Sequence, residues 1–137
     1  MLQPALALVV WTLFIWVWMY ATRLPAVFKT RPNFHKIKTG QQLRQVLPDR
    51  INWVADNYNH LHEQPTVFYV LCVLLYLVNS ETSWGLTLAW TYVGLRMAHS
   101  LWQIFINYVQ VRFVLFCLSS LSLILMCSVA AMALWAT

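Results

Sequence analysis

The longest uncharged stretch of this chain is the feature that most constrains its fold. Residues 113–136 form a run of 24 residues without a charged side chain. Because an α-helix rises about 1.5 Å per residue, this run covers about 36 Å, enough to cross the roughly 30 Å hydrocarbon core of a bilayer. Only 9% of the 137 residues are charged, against about 25% in soluble domains. A soluble globular enzyme is therefore excluded, and the pattern predicts one all-α integral membrane domain over residues 1–137.

Two other apolar stretches are too short to cross a bilayer by themselves. As helices, residues 66–78 and 84–95 would cover only about 20 Å and about 18 Å. Each helix must therefore extend into neighbouring polar residues, which places ionisable side chains at membrane depth. Together with an uncharged run near the N-terminus, the pattern predicts a bundle of four spanning helices near residues 4–29, 49–79, 84–108 and 110–136.

The basic residues indicate how these helices are oriented. Seven of the nine Lys and Arg residues lie between Arg23 and Arg50, and such residues are enriched in the cytoplasmic loops of membrane proteins. We therefore expect residues 29–49 to form a basic cytoplasmic loop and both termini to lie on the outer side. We expect no nucleic-acid partner, because most aromatic residues lie in the apolar runs rather than in a basic groove.

Polar residues three or four positions apart form one face on each of the two middle helices. Glu63 and His99 each lie 16 positions from the outer turn between these helices, at residues 79 and 83, and so we expect them at the same depth. Arg96 lies one helical turn nearer that outer turn, where it could form an ion pair with Glu63. The two faces comprise Asp56, Asn59 or His60, and Glu63 on the second helix, and Arg96, His99, Gln103 and Asn107 on the third.

Two interpretations of this polar cluster stay open. Ionisable residues at membrane depth either pair across helices and hold them together, or they bind a polar ligand. We expect no metal site. The three cysteines, Cys72, Cys117 and Cys127, all lie in apolar runs and lack the spacing of metal ligands.

Two segments of the chain resemble signature segments of the MAPEG family, the membrane-associated proteins of eicosanoid and glutathione metabolism. They are ADNYNHLHEQPTVFY at residues 55–69 and YVGLRMAHSLWQIFINYVQVRF at residues 92–113. The resemblance also covers the four spanning helices, the first loop and the length, and it is closest in style to a less characterised bacterial branch. The residues that carry it most specifically are Glu63, Pro65, Arg96, His99 and Arg112.

The resemblance implies a homotrimer of left-handed four-helix bundles that binds glutathione between neighbouring subunits, in the cytoplasmic half. A lipophilic small-molecule electrophile would enter from the surrounding membrane lipid. The resemblance further implies that Arg112 is the catalytic residue, because a nearby cation favours the nucleophilic thiolate form of glutathione. The residues implied to bind glutathione are Glu63, His60, Asn59, Arg96, His99 and Gln103.

The chain departs from the glutathione-using members of this family at several positions. Those members usually have Arg where Asp56 and Asn59 stand here, Asn where His60 stands and Tyr where Gln103 stands. Two Arg residues that would anchor carboxylates are thus absent. The candidates to replace their charge are Lys36, Lys38, Arg44 and Arg50 of the basic loop.

Two functions follow from these observations. The first is a glutathione-dependent transferase or peroxidase that acts on lipophilic electrophiles. The alternative is a non-catalytic membrane protein that binds lipid or an anion and no longer uses glutathione. We expect either protein to be a multi-pass protein of a bacterial inner membrane.

Overall fold

The computed structural model describes residues 1–79 and 82–135, and these residues are almost entirely helical. No β-strand occurs among them. The six helices are α1 (Leu2–Thr30), α2 (Gly40–Val46), α3 (Asp49–His60), α4 (Pro65–Leu77), α5 (Ser83–Phe105) and α6 (Val109–Trp135).

The segment between α1 and α3 is more ordered than the predicted loop over residues 29–49. It contains α2, which begins with a reciprocal cap. The Thr39 hydroxyl accepts a hydrogen bond from the Gln42 N–H, and the Gln42 side chain accepts one from the Thr39 N–H. Because two N–H groups of the first turn are satisfied in this way, the short helix is defined locally by its sequence.

The predicted helix over residues 49–79 is divided into α3 and α4 by a turn at residues 61–64. Pro65 explains the division, because proline has no N–H to donate to the carbonyl four residues earlier and fits best at the first position of a new helix. Leu61 is almost fully buried at this turn, which anchors it in the core. The turn also leaves the carbonyl of His60 accessible to side chains of other helices.

Among the described residues, α1 and α6 are the two helices long and apolar enough to cross a membrane. Their outer faces carry exposed aliphatic side chains, among them Val10, Leu13 and Val17 on α1, and Leu121 and Ile124 on α6. Soluble proteins rarely expose continuous apolar surfaces of this kind. These faces suit contact with lipid.

Helix α5 lies at the centre of the packing. It contacts α6 most extensively and also packs against α1 and α3, while α4 packs against α1 and α6. The ring of Tyr92 stacks on Phe68 of α4, with ring centroids 4.5 Å apart. The Ser122 hydroxyl of α6 donates a hydrogen bond of 2.9 Å to the Leu88 carbonyl of α5. On α5 itself, the buried charged, imidazole and amide side chains all lie in the half that begins at Arg96.

Candidate functional site

Arg112 lies in the first turn of α6, close to the connection from α5. Its Nη1 donates a hydrogen bond of 2.7 Å to Oδ1 of Asn107, and its Nη2 lies 3.4 Å from Nε2 of His60. Asn107 has a φ of 59°, in the left-handed region that Asn tolerates better than most residues. The loop between α5 and α6 and the end of α3 thus hold the guanidinium from two sides.

His60 connects this guanidinium to an acidic residue. Its Nδ1 lies 3.0 Å from Oε2 of Glu63. The carboxylate side chain of Glu63 is 66% exposed, so it faces outward rather than into the bundle. Arg96 does not form the predicted ion pair with Glu63. Its Nη2 instead donates a hydrogen bond of 2.8 Å to the carbonyl of His60, which the turn before Pro65 leaves accessible.

Three polar residues of α5 are buried below His60. Arg96 is 2% exposed, His99 5% and Gln103 1%, and the rings of His99 and His60 lie 6.2 Å apart. Nε and Nη1 of Arg96 are buried and have no hydrogen-bond partner within the described protein. Because an unsatisfied buried donor costs about 1–3 kcal/mol, and more when charged, these nitrogens are suited to bind a polar or anionic group.

A cleft of about 260 Å³ opens beside this cluster. It is lined by the guanidinium of Arg112, by the two imidazoles and by apolar side chains that lie beside Arg112 on α6. Among residues 1–79 and 82–135, no carboxylate lines it. The lining residues are His60, His99, Val109, Arg112, Phe113 and Phe116.

A larger polar groove of about 640 Å³ lies between α2 and α3 and reaches Asn107. Here Arg44 forms a bidentate ion pair with Asp56, with 2.9 Å between Nη2 and Oδ2. The groove is also lined by Asp49, so it carries two carboxylates and one guanidinium. The carboxylates of this groove repel an anion. The cleft at Arg112 is therefore the more favourable place for an anionic ligand.

The structure brings together only some of the residues that the sequence pattern placed at the site. His60, His99 and Arg112 line the cleft, and Arg96 contacts the backbone of His60. Glu63 reaches the site only through His60, and Gln103 is buried on α5 beside His99. The predicted residues outside the cleft are Asn59, which is exposed, Asp56, which is paired with Arg44, and Lys36, Lys38 and Arg50, which are exposed.

Sequence reasoning missed part of the structural support of the site. It did not assign Asn107 to Arg112, although an Asn just before a helix is a signal for a left-handed residue. It also passed over Asn57, which is 1% exposed and accepts a hydrogen bond of 3.0 Å from Ser100. The pattern of polar residues three or four positions apart selected Asn59 instead. That pattern was followed across the break before Pro65, where spacing alone does not give the register.

The sequence profile of the MAPEG family covers residues 1–132 of the chain. The chain belongs to the MAPEG family. No individual curated protein and no solved structure matches it significantly.

Membership in MAPEG confirms the resemblance carried by Glu63, Pro65, Arg96, His99 and Arg112. It agrees with the apolar outer faces of α1 and α6, and together they indicate a membrane protein. A MAPEG chain of this kind is consistent with a glutathione-related transferase or peroxidase, or with a related role.

Proposed function

We propose that this MAPEG protein is a glutathione-dependent transferase or peroxidase that acts on lipophilic electrophiles. The observation that carries the proposal is the position of Arg112. Its guanidinium is held by Asn107 and His60 at a cleft that is also lined by the apolar side chains of Phe113 and Phe116. A fixed cation beside an apolar surface is the arrangement that a thiolate and a lipophilic electrophile require.

The donor set of the site fits glutathione, which carries two carboxylates, one ammonium and one thiol. The unpartnered nitrogens of Arg96 can donate to a carboxylate, and a guanidinium forms strong hydrogen bonds with such groups. The exposed carboxylate of Glu63 offers an acceptor for the ammonium. The guanidinium of Arg112 favours the thiolate over the thiol. When bound, glutathione supplies a sulfur that bonds to the electrophile as the leaving group departs, and the thiol proton passes to solvent.

We also propose that residues 1–137 form a single domain that crosses the membrane four times. Both termini would then lie on the outer side of the membrane. The 23 residues of α5 cover about 35 Å, more than the roughly 30 Å of hydrocarbon. The 13 residues of α4 cover only about 20 Å, so its span has to include part of α3. The basic segment after α1 then lies in the cytoplasm, by the usual excess of Lys and Arg there, and we propose a bacterial inner membrane.

The size of the cleft supports a homotrimer in which the neighbouring subunit completes the site. Sites for small ligands commonly have volumes of about 300–1,000 Å³. The cleft at Arg112 measures about 260 Å³ in a single chain. A tripeptide such as glutathione therefore needs contacts beyond this cleft. A second copy of the chain packed against α6 would provide them.

The second candidate function is the binding of a lipid or an anion without catalysis. The ion pair of Arg44 with Asp56 favours it, because this pair occupies the one guanidinium of the polar groove and leaves a carboxylate where related proteins have Arg. In that case the cleft holds an anionic headgroup and the apolar side holds an acyl chain. A lipid that remains bound through purification would support this function.

Turnover in Arg112 variants separates the two functions. The purified protein is assayed with glutathione and chlorodinitrobenzene, and separately with a fatty-acid hydroperoxide. We expect thiol-dependent turnover that falls about a hundredfold in Arg112→Ala, the usual cost of removing one electrostatic donor from a reaction site. Arg50→Ala is the matched control, since Arg50 is exposed on α3. If the unmodified protein shows no thiol-dependent turnover with either substrate, the catalytic proposal is wrong.

A further inference from the structure

We propose that His60, which lines the cleft, acts as a positioning residue that orients Arg112 rather than as a residue that binds glutathione. The inference deepens the proposed function and rests on it for its catalytic consequence. It assigns to His60 a role that is distinct from the glutathione contact implied by the family resemblance. The contacts that support it are formed between groups of the protein itself.

The hydrogen bonds of His60 select one form of its ring. Oε2 of Glu63 lies 3.0 Å from Nδ1 of His60. An ionised carboxylate can only accept a hydrogen bond. Nδ1 must therefore carry the proton. In a neutral imidazole the other nitrogen is then an acceptor, and Nε2 is the atom that faces Nη2 of Arg112 at 3.4 Å. Glu63 thus sets the tautomer that Arg112 requires.

The backbone of His60 is also fixed. Its carbonyl accepts a hydrogen bond of 2.8 Å from Arg96, a side chain of α5 that is 2% exposed. Asn107 holds the other Nη of Arg112 at 2.7 Å. The guanidinium is therefore held between α3 and the loop that precedes α6, with its acceptors on two separate elements.

An imidazole acceptor has a specific advantage over a carboxylate in this position. A carboxylate paired directly with Arg112 would neutralise the guanidinium and weaken its attraction for a thiolate. His60 holds the same group with an uncharged acceptor, while the charge of Glu63 stays one side chain further away. Of the five N–H donors of an Arg side chain, the contacts to His60 and Asn107 use two, which leaves donors for a ligand.

The charged and titratable groups around His60 come from three elements. Glu63 lies on its own segment, Arg96 and His99 lie on α5, and Arg112 lies on α6. A doubly protonated His60 would direct an N–H at the guanidinium of Arg112. A hydrogen bond from Arg112 to Nε2 requires the Nδ1–H form.

The first test determines which ring nitrogen of His60 carries the proton. In protein labelled with ¹⁵N-histidine, the signals of His60 are assigned by their loss in His60→Ala and report which ring nitrogen carries the proton. We expect the Nδ1–H tautomer in the unmodified protein and a shift of population toward Nε2–H in Glu63→Gln. An Nε2–H tautomer in the unmodified protein would overturn the inference.

The second test separates positioning from binding. We expect His60→Ala to lower kcat about tenfold to a hundredfold, the range for a reacting group displaced by about 1 Å, while the Kd of glutathione changes less than twofold. His60→Gln, which restores an acceptor for Arg112, should recover part of the loss. His62→Ala is the matched control, because His62 is an exposed imidazole of the adjacent turn whose ring contacts Tyr58 and lies outside the cleft at Arg112. A rise in Kd equal to the fall in kcat would make His60 a glutathione ligand and contradict the inference.

The two tests distinguish failure of this inference from failure of the proposed function. If the unmodified protein turns over no thiol but shows the Nδ1–H tautomer, the catalytic function is wrong and the support of Arg112 by His60 stands. If thiol-dependent turnover is present and His60→Ala retains full kcat, the function stands and the inference is wrong. Elution volume and unfolding temperature of each variant verify that it is folded.

Discussion

At the scale of single residues, the placement of charge decides which ligand this protein can hold. Arg44 and Asp56 neutralise each other at the polar groove between α2 and α3. Arg112 and Arg96 instead contact the imidazole of His60, the amide of Asn107 and the backbone carbonyl of His60. The guanidinium of Arg112, which lines the cleft, is therefore held in place by uncharged acceptors. We accordingly expect an anionic ligand at the junction of α3, α5 and α6.

Release of Arg44 should increase the affinity for glutathione. The substitution Asp56→Asn removes one carboxylate from the groove and frees the guanidinium of Arg44. Because both side chains are partly exposed, at 48% and 29%, and exposed charge pairs are worth at most about 1 kcal/mol, we expect the Kd to fall by at most about fivefold. Calorimetric titration measures this change.

The control for this prediction is the double variant Arg44→Gln/Asp56→Asn. It lacks the freed guanidinium, so its Kd should return close to that of the unmodified protein. An unchanged Kd in Asp56→Asn alone would show that the groove does not contribute to binding.

Helical spacing grouped His60 and His99 in the polar cluster, and the family resemblance added Arg112, but neither could supply the partners of these residues. The expected ion pair of Arg96 with Glu63 rested on their depth in two continuous helices. The break before Pro65 instead presents the carbonyl of His60 to Arg96. Backbone acceptors do not show in a sequence, and therefore the direction of the long Arg side chain could not be predicted from residue types.

At the scale of the helices, the division between α3 and α4 and the close contact of α5 with α6 shape the site. The sequence predicted four spanning helices built around four apolar runs, and these runs lie in α1, α4, α5 and α6. It did not predict that residues 61–64 form a turn. The arithmetic of membrane thickness favoured one continuous helix over 49–79, and the local effect of proline outweighed it.

The hydrogen bond between α5 and α6 should contribute measurably to stability. Ser122 is 4% exposed and donates to the Leu88 carbonyl across the helix interface. Hydrogen bonds between membrane helices are worth about 0.6 kcal/mol on average, and up to about 1.7 kcal/mol. We expect Ser122→Ala to lower the unfolding temperature in detergent, as followed by circular dichroism.

Ser128→Ala is the matched control on the same helix. Its hydroxyl is exposed and donates only to the Leu125 carbonyl of α6 itself. We expect no measurable change in unfolding temperature. Equal effects of the two substitutions would show that the contact between α5 and α6 is apolar in origin.

At the scale of the whole molecule, the proposed topology places the basic segment and the first residue of α5 on opposite sides of the membrane. In a background without native cysteines, Gln41→Cys and Ser83→Cys each introduce an exposed thiol. A membrane-impermeant maleimide should label Gln41→Cys only in inverted vesicles and Ser83→Cys only in right-side-out vesicles. Labelling of both positions from one side would contradict the four-span topology.

Binding of glutathione by the folded protein is the central claim, and it is tested most directly by thermal unfolding of the detergent-purified protein at increasing glutathione concentration. A ligand at about a hundred times its Kd stabilises the folded state by about 2.7 kcal/mol. We expect a concentration-dependent rise of several degrees in unfolding temperature, and a smaller rise in Arg112→Ala. The same unfolding temperature at all glutathione concentrations would contradict glutathione binding and favour a MAPEG protein that binds lipid.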